Sequence, residues 1–409
     1  MIDRICNRLP AAFLLGSVAL LLAAPGPAFA GYEEGGAYFK QGKYVEAAAE
    51  FEEVVNNAPD YHYGYYMLGN CYLKLKKYRE AEQQYRKAVE IDPGKPHYHM
   101  MLAQSQLQSK KYDAVVVTLD KAESLITDSK QKNLFHRTRG LALARVKDFD
   151  RAIADLKKAN PAGDHAVALD LGRACFATGN TACVEDALGK ALAKKPGDKV
   201  ALEMLAKSQI EAARRTSSKS TKQSYYGKAV TSARQLVEAG PDSVEAHEML
   251  GAALLGSDDY AGAIREFEKV LSMQPKNCNA MLNIAQALSK LERWDAMLSS
   301  SKQATQCDSK SYLGWTQIAF VHNKKKQWDS AEQAARKSLA LKDNSAARQQ
   351  IEIAQKGRDA QSANKAADAA DAEYLQQLAD QEAKDADEER RRREWEIRTG
   401  GSKKDDGGK

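Results

Sequence analysis

The chain has 409 residues, a formal net charge of +6 and 43% hydrophobic residues. This length exceeds what one globular core usually holds, and it favours several domains or a repeat array that grows without such a limit. The charge is too mild for the dense basic stripe of a nucleic-acid-binding protein.

The first 30 residues have the features of a secretory signal peptide. Arg4 and Arg8 precede an apolar run from Ala11 to Ala24, and Ala28-Phe29-Ala30 offers the small-x-small site that signal peptidase cleaves. The run is too short to cross about 30 Å of hydrocarbon comfortably, which argues against a retained membrane anchor. We therefore predict cleavage after Ala30, a periplasmic or secreted location, and no membrane span in the mature chain.

From residue 31 onward, blocks of similar composition recur at a spacing of 34 residues, as the pairs Pro59–Pro93 and Pro241–Pro275 show. One such block cannot bury its apolar face alone, so successive blocks must stack. Aligned on a small residue at position 8, the nine units carry Gly35, Gly69, Ala103, Gly140, Gly172, Ala206, Gly251, Ala285 and Ala319. Most units carry an aromatic at position 17, namely Tyr44, Tyr78, Tyr112, Phe149, Tyr226, Tyr260, Trp294 and Trp328.

This pattern resembles the tetratricopeptide repeat over about residues 31–343. The resemblance implies an all-α, right-handed α-solenoid of about nine antiparallel helix hairpins. Gly or Ala at position 8 lets the two helices of a hairpin approach, and proline stops the second helix. The sixth unit departs from the pattern, because Pro196 and Pro241 are 45 residues apart instead of 34. Its excess around Arg214 to Ser224 either lengthens the two helices or forms a projecting loop.

In this family the first helix of each unit lines a concave groove, and the resemblance assigns the groove residues here. In units 1 to 3 they are Tyr32, Phe39, Lys40, Tyr63, Tyr66, Asn70, Leu73, Lys74, His97, Met100, Gln104 and Gln108. Such an aromatic and amide-rich surface suits an extended peptide or a partner helix. The alternative is that these aromatics only pack locally between helices.

The groove changes character along the chain. Units 4 to 6 contribute the more basic set Arg137, Leu141, Arg145, Arg173, Phe176, Lys207 and Ile210, which favours an acidic partner segment. Units 7 to 9 contribute Glu245, Glu248, Leu255, Asn279, Leu282, Gln286, Phe320 and Asn323. This variation would permit more than one protein partner.

Five cysteines remain after signal removal, and an exported chain can form disulfides. Cys278 opens the first helix of unit 8 and Cys307 follows the end of its second helix, so antiparallel packing brings them together. Cys175 and Cys183 flank the turn of unit 5. We predict the pairs Cys278–Cys307 and Cys175–Cys183, with Cys71 packed as a free thiol.

The sequence contains none of the motifs that we associate with catalysis or a resident metal. We find no His-Glu-x-x-His helix, no nucleophile elbow, no phosphate-binding Gly-rich loop and no Cys-x-x-Cys pair. His97 and His99 are two residues apart, and such residues point to different sides of a helix. We therefore expect no metal site, no cofactor and no enzymatic activity.

After Asp343 the repeat pattern stops. Residues 344–357 are typical of an amphipathic helix that caps the last unit. Residues 358–399 favour a charged helix with few apolar side chains, and residues 400–409 favour disorder. The charged helix is either solvated, with local charge pairs, or a docking segment. The sequence leaves open whether it docks back, pairs with another copy in a coiled coil, or stays in solvent.

Taken together, these features predict a non-enzymatic protein–protein interaction scaffold for an envelope assembly, secretion or export machine. Two alternatives stay open. One is a periplasmic chaperone that holds many transient clients. The other is a glycan- or peptidoglycan-associated protein that stacks sugars on the groove aromatics.

Overall fold

A computed structural model describes residues 27–159 and 162–398, and every regular element in these ranges is helical. Most of the predicted signal peptide and the predicted disordered tail lie outside the described residues. Within them, none of the helices is both long and apolar enough to cross a membrane.

The chain divides into two compact units, one up to Ser217 and one from Ser218 onward. The first contains α1 (Pro27–Lys40), α2 (Tyr44–Asn57), α3 (His62–Lys74), α4 (Tyr78–Ile91), α5 (Pro96–Gln108), α6 (Tyr112–Ala122), α7 (Ser129–Arg145), α8 (Phe149–Lys158), α9 (His165–Ala177), α10 (Thr181–Lys194) and α11 (Lys199–Arg215). The second contains α12 (Lys219–Ala239), α13 (Val244–Gly256), α14 (Tyr260–Met273), α15 (Cys278–Lys290), α16 (Trp294–Cys307), α17 (Tyr312–Lys324), α18 (Trp328–Leu341) and α19 (Ser345–Arg398).

Within each unit the helices form hairpins that pack on their neighbours in chain order, which confirms the predicted all-α stack of helix hairpins. The small residue at position 8 has the expected role, because it lies under a large side chain of the second helix. A Cβ added to Gly69 would lie only 2.7 Å from the ring of Tyr85, and one added to Gly172 would lie 2.2 Å from Leu188. Either contact would force the two helices of the hairpin apart.

The turn inside every repeat except the sixth uses one residue in the left-handed backbone region. In the first and fifth repeats that residue is a glycine, Gly42 with φ 78° and Gly179 with φ 69°. The remaining repeats place a larger residue there, and these are Lys76, Lys110, Lys147, Asp258, Glu292 and Lys326. A side chain in this conformation costs roughly 1–2 kcal/mol relative to glycine, so the surrounding hairpin packing imposes the turn.

The excess length of the sixth repeat goes into its helices. Helices α11 and α12 have 17 and 21 residues, and only residues 216–218 lie between them. The longer-helix alternative therefore holds, and the projecting loop does not form. The boundary between the two compact units passes between these helices, so the sixth repeat is shared by both units.

The predicted capping helix and charged helix are one continuous helix, α19, of 54 residues. Its first part packs on the last repeat through the buried residues Ala347, Gln350 and Ala354. Gly357 allows a close approach, because a Cβ there would lie 2.7 Å from the ring of Trp328. Gly357, at the predicted boundary between the capping and charged helices, therefore serves helix packing, and the helix continues through it.

Helix α1 begins at Pro27, so the predicted cleavage site after Ala30 falls in its first turn. Cleavage there would leave the helix from Gly31 onward. The rest of the hairpin, with Gly35 against Phe51 of α2, would remain.

Candidate partner-binding groove

The predicted groove aromatics of the first three repeats contact one another. We call Tyr32, Tyr63, Tyr66 and His97 the aromatic ladder. Ring centroids are 5.7 Å apart for Tyr32 and Tyr63, 5.5 Å for Tyr63 and Tyr66, and 5.1 Å for Tyr66 and His97. The ladder therefore links helices α1, α3 and α5, which are the first helices of three successive hairpins.

The ladder is anchored on buried side chains. Tyr32 contacts the ring of Phe51, and Tyr66 contacts the rings of Tyr85 and Tyr98, all of which are almost completely buried. The four ladder side chains themselves are only half-buried. The rings thus pack locally, as the alternative expected, and also keep part of their surface accessible, as a binding groove requires.

Burial favours the uncharged forms of three ladder side chains, Tyr32, Tyr66 and His97. Desolvation raises the pKa of the Tyr32 and Tyr66 hydroxyls. It also lowers the pKa of His97, and the positive charges of Lys95 and His62 act in the same direction. The surface therefore offers uncharged rings and hydroxyl groups, a combination enriched where proteins bind other proteins.

Asn70 lies one turn after Tyr66 and is held in place from inside. Its Oδ1 accepts a hydrogen bond of 2.8 Å from the hydroxyl of buried Tyr85, and its Nδ2 lies 3.7 Å from Sδ of Met67. The carbonyl end of the amide is therefore engaged by the core. The amide NH₂ faces the weak thioether acceptor and also interacts with the hydroxyl of Tyr66 in the ladder, so a carbonyl of a bound segment would compete for its two hydrogens.

Other predicted groove residues of these repeats lie around the ladder. Phe39 packs on Tyr44 of the next helix, with centroids 5.3 Å apart. Lys74 is exposed at the end of α3. Gln104 and Gln108 are half-buried on α5. These residues extend the surface with an amide-rich and weakly basic margin.

The basic set of units 4 and 5 is partly neutralised. Nη1 of Arg137 lies 2.9 Å from a carboxylate oxygen of Asp164, and Nη1 of Arg173 lies 2.9 Å from one of Asp170. Arg145 is exposed at the end of α7. The surface is therefore less positive than the sequence suggested, because acidic residues outside the predicted set pair with two of its three arginines.

The largest polar cluster of the first unit involves a residue that the sequence did not single out. Arg139 on α7 is buried, with 6% exposure. Its Nε lies 2.6 Å from Asp155, and its Nη1 lies 2.8 Å from Glu123 and 3.0 Å from Asp120. The guanidinium also covers the ring of Phe135 at 4.4 Å. This network ties the third hairpin to the fourth and leaves no guanidinium group directed at a ligand.

Three histidines that are far apart in the sequence stand at the same position of their repeats. His136 and His247 both stand at position 4, and each Nδ1 pairs with a carboxylate at position 23, Asp155 at 2.9 Å and Glu266 at 2.7 Å. His99, at position 4 of its own repeat, bonds the carbonyl of Pro93 at 2.8 Å. A position-by-position alignment of the histidines and carboxylates could have found this signal.

Among the described residues, no group of three or more His, Cys, Asp or Glu side chains is arranged to hold a metal ion. His97 and His99, which the sequence places side by side, are engaged in different surroundings. His97 lies against Tyr66 and Tyr98, whereas His99 reaches the backbone of the preceding loop.

Both predicted cysteine pairs lie at disulfide-bonding distance. Cys175–Cys183 joins α9 to α10, and Cys278–Cys307 joins the outer ends of α15 and α16, each with a Cα separation of 5.6 Å. Cys71 is buried and unpaired. Burial raises the pKa of its thiol to about 12, so the thiolate that reacts with disulfides is scarce at neutral pH.

Two stretches of the chain match family models described as tetratricopeptide repeat, residues 38–105 and residues 222–277. The chain therefore contains tetratricopeptide repeats in both compact units. The first match covers most of the aromatic ladder, from the end of α1 to α5.

Solved structures with a similar fold include several of MamA. A structure described as the crystal structure of MamA has 17% identity and a TM-score of 0.38, and the match covers 42% of this chain and 94% of MamA. MamA MSR-1 has 22% identity and a TM-score of 0.37, with 44% and 98% covered. MamA AMB-1 has 23% identity and a TM-score of 0.37, with 44% and 92% covered. These likenesses are too low to carry a functional argument. The search of curated proteins found no match.

Proposed function

We propose that this protein is an exported, non-enzymatic scaffold that binds a segment of a partner protein along the aromatic ladder of its first unit. The observation that carries the proposal is the ladder itself. It runs across three hairpins, its rings are neutral, and each ring is half-buried on a fixed core. Fixed aromatic side chains give large contact area and lose little conformational freedom on binding.

The bound segment would be an extended peptide or a partner helix of an envelope assembly, secretion or export machine. Apolar side chains of the segment would pack on the rings, and a main-chain carbonyl would accept from the amide of Asn70. The weakly basic margin at Lys74 and Arg145 favours an acidic flank on the partner. The export part of the proposal is supported by the basic start, short apolar run and Ala28-Phe29-Ala30 site of the sequence.

A double variant tests the ladder. Tyr63→Ala with Tyr66→Ala removes its two central rings, and we expect partner affinity to fall by ~30-fold or more, the effect of losing an interface hot spot. Crosslinking in cells followed by affinity purification of the full chain measures the change. Recovery of the same proteins in the same amounts would show that the ladder is not the binding surface.

Tyr72→Ala is the matched control. Tyr72 lies on the same helix α3 and is also half-buried, but its hydroxyl donates to Glu52 of α2 rather than joining the ladder. The control should keep the partner. Many exchanging clients in place of one stable partner would support the chaperone alternative, and ladder-dependent binding to purified peptidoglycan would support the glycan alternative.

Export is tested separately. Fractionation of cells should place the protein outside the cytoplasm, and N-terminal sequencing of the mature chain should begin at Gly31. A cytoplasmic protein that still carries Met1 would remove the localisation from the proposal and leave the ladder intact.

A further inference from the structure

The second half of α19 is a solvent-exposed helix. Arg358 pairs with Asp329 and Glu332 of α18 and marks the last contact with the repeats. From Asp359 to Arg398 every residue except Asp387 is exposed. Tyr374, Leu375 and Leu378 lie within little more than one turn and are 61%, 64% and 43% exposed. Helices in proteins owe most of their stability to a packed apolar face, so this face calls for a partner.

The apolar side chains follow a heptad spacing. Ala372, Leu375, Ala379 and Ala386 lie on one face at steps of three, four and seven residues, with Glu382 as a single interruption. Leu378 lies beside this face. The same face continues to Asp368 at one end and to Arg393 at the other. A long helix with such a face is suited to pair with another helix of similar length.

Charge along this helix is divided between its two ends. Residues 368–389 carry nine acidic side chains and one basic one, Lys384. Residues 390–393 are four consecutive arginines. Two parallel copies would place acidic beside acidic and arginine beside arginine. Two antiparallel copies instead place the arginines of each beside Asp368 and Asp371 of the other, which brings opposite charges together at both ends.

We propose that two copies of the protein pair through α19 as an antiparallel helix pair centred between Asp380 and Gln381. In this register Asp368 faces Arg393 of the second copy, and Asp371 lies on the same edge of the contact as its Arg392. Leu375 packs on Ala386 of the second copy, so a large side chain meets a small one on each side of the centre. The pairing covers the exposed leucines and brings opposite charges together at both ends.

Local ion pairs compete only weakly with this arrangement. Nη2 of Arg393 lies 2.7 Å from Glu389 on the same helix, and Nε of Arg392 lies 3.6 Å from Glu396. Both arginine side chains are at least 70% exposed. Exposed pairs three or four residues apart contribute only about 0.2–0.5 kcal/mol, so a second helix can displace them.

Sedimentation analysis of the mature chain tests the proposal, and the wild type should dimerise reversibly. Arg392→Glu with Arg393→Glu should raise the dimer dissociation constant by ~10-fold or more, because two attractive pairs at each end become repulsive. Arg391→Glu with Arg398→Glu is the matched control. It has the same charge change on the outer face of the helix, and it should leave the dimer nearly intact.

Charge exchange gives the positive test. Asp368→Arg with Asp371→Arg should also prevent self-association, and mixing this variant with Arg392→Glu/Arg393→Glu should restore a heterodimer. A wild-type chain that stays monomeric at its highest soluble concentration would overturn the proposal. So would a dimer whose dissociation constant is unchanged by the Arg392/Arg393 reversal. A monomer with α19 protected from exchange would instead indicate that the helix docks on its own chain.

Spin labels test the direction of pairing. In a Cys71→Ala background, labels at Gln381→Cys should lie close together across the dimer. Labels at Glu396→Cys should be ~45 Å apart, from a rise of about 1.5 Å per residue. A short distance at both positions would mean a parallel pair and would overturn the proposal.

Discussion

Two regions of the first unit use the same hairpin in different ways. In residues 31–108, which we call the aromatic region, tyrosine and histidine rings connect the hairpins, and none of the helices α2 to α5 has a side-chain N-cap. In residues 128–198, which we call the polar region, Asp128, Asp148, Asp164 and Asn180 each cap a helix. The polar region also contains the Arg139 network and the Cys175–Cys183 pair.

The difference separates stability from binding. Helix caps and ion pairs hold the polar region together from within, and the Cys175–Cys183 pair links α9 to α10. The aromatic region gains its cohesion from rings that face the groove, so the same side chains that hold the hairpins together are half-accessible to a partner. We therefore infer that partner binding stabilises the aromatic region more than the polar region.

The largest expected effect lies in the polar region. Arg139→Ala leaves Asp155, which is 3% exposed, beside Glu123 with His136 in place of its guanidinium partner. Breaking such a buried pair should lower the free energy of unfolding by about 3–5 kcal/mol, as measured by chemical denaturation. Arg151→Ala is the control. Arg151 pairs with Asp120 of the same network but is half-exposed, so a loss under about 1 kcal/mol is expected.

The same variant should change the acid sensitivity of the protein. The hydrogen bond from Arg139 is the main cause that holds the pKa of Glu123 below its usual range. Stability from this carboxylate is present above its unfolded pKa and is lost as the pH falls through the lowered folded value. Arg139→Ala should therefore weaken the fall of stability with falling pH.

Equal losses in the free energy of unfolding for Arg139→Ala and Arg151→Ala would show that the Arg139 network is not buried as described.

The second effect concerns the covalent link of the polar region. Cys175→Ser with Cys183→Ser opens a loop with a sequence separation of 8 and should cost about 2.5 kcal/mol by the chain-entropy estimate. Hydrogen exchange should rise in α9 and α10 and stay unchanged in α3 to α5. Faster exchange throughout the aromatic region would mean that the two regions unfold as one cooperative body, against the contrast drawn above.

The smallest expected effect comes from giving a helix of the aromatic region the side-chain N-cap that the polar region has. Lys43 precedes α2 with φ −81° and ψ 72°, and Asp148 precedes α8 with φ −81° and ψ 73°. Because the backbone is already shaped for a cap, Lys43→Asp should stabilise the aromatic region by about 1 kcal/mol. Asp148→Lys is the reciprocal control and should destabilise by a similar amount. An unchanged melting temperature for both would show that caps do not distinguish the regions.

The repeat period was enough to predict the hairpins, because an apolar face that recurs every 34 residues can be buried only by stacking. The cysteine pairs followed from the same register, since Cys278 and Cys307 stand at helix ends that antiparallel packing brings together. Gly69 and Gly172 were also interpretable, because a missing side chain has a direct steric meaning where two helices cross.

Only the tertiary structure showed what these residues do together. The sequence did not single out Arg139, and the structure brings Asp120, Glu123 and Asp155 around it from other parts of the fold. Distances between hairpins decide whether the ladder rings pack on one another or stay accessible. In the structure the rings do both. Sequence alone determined the repeating unit, because local spacing sets which faces are apolar. The structure decided the charge pairing and the exposure of the groove, because both depend on contacts between residues far apart in the chain.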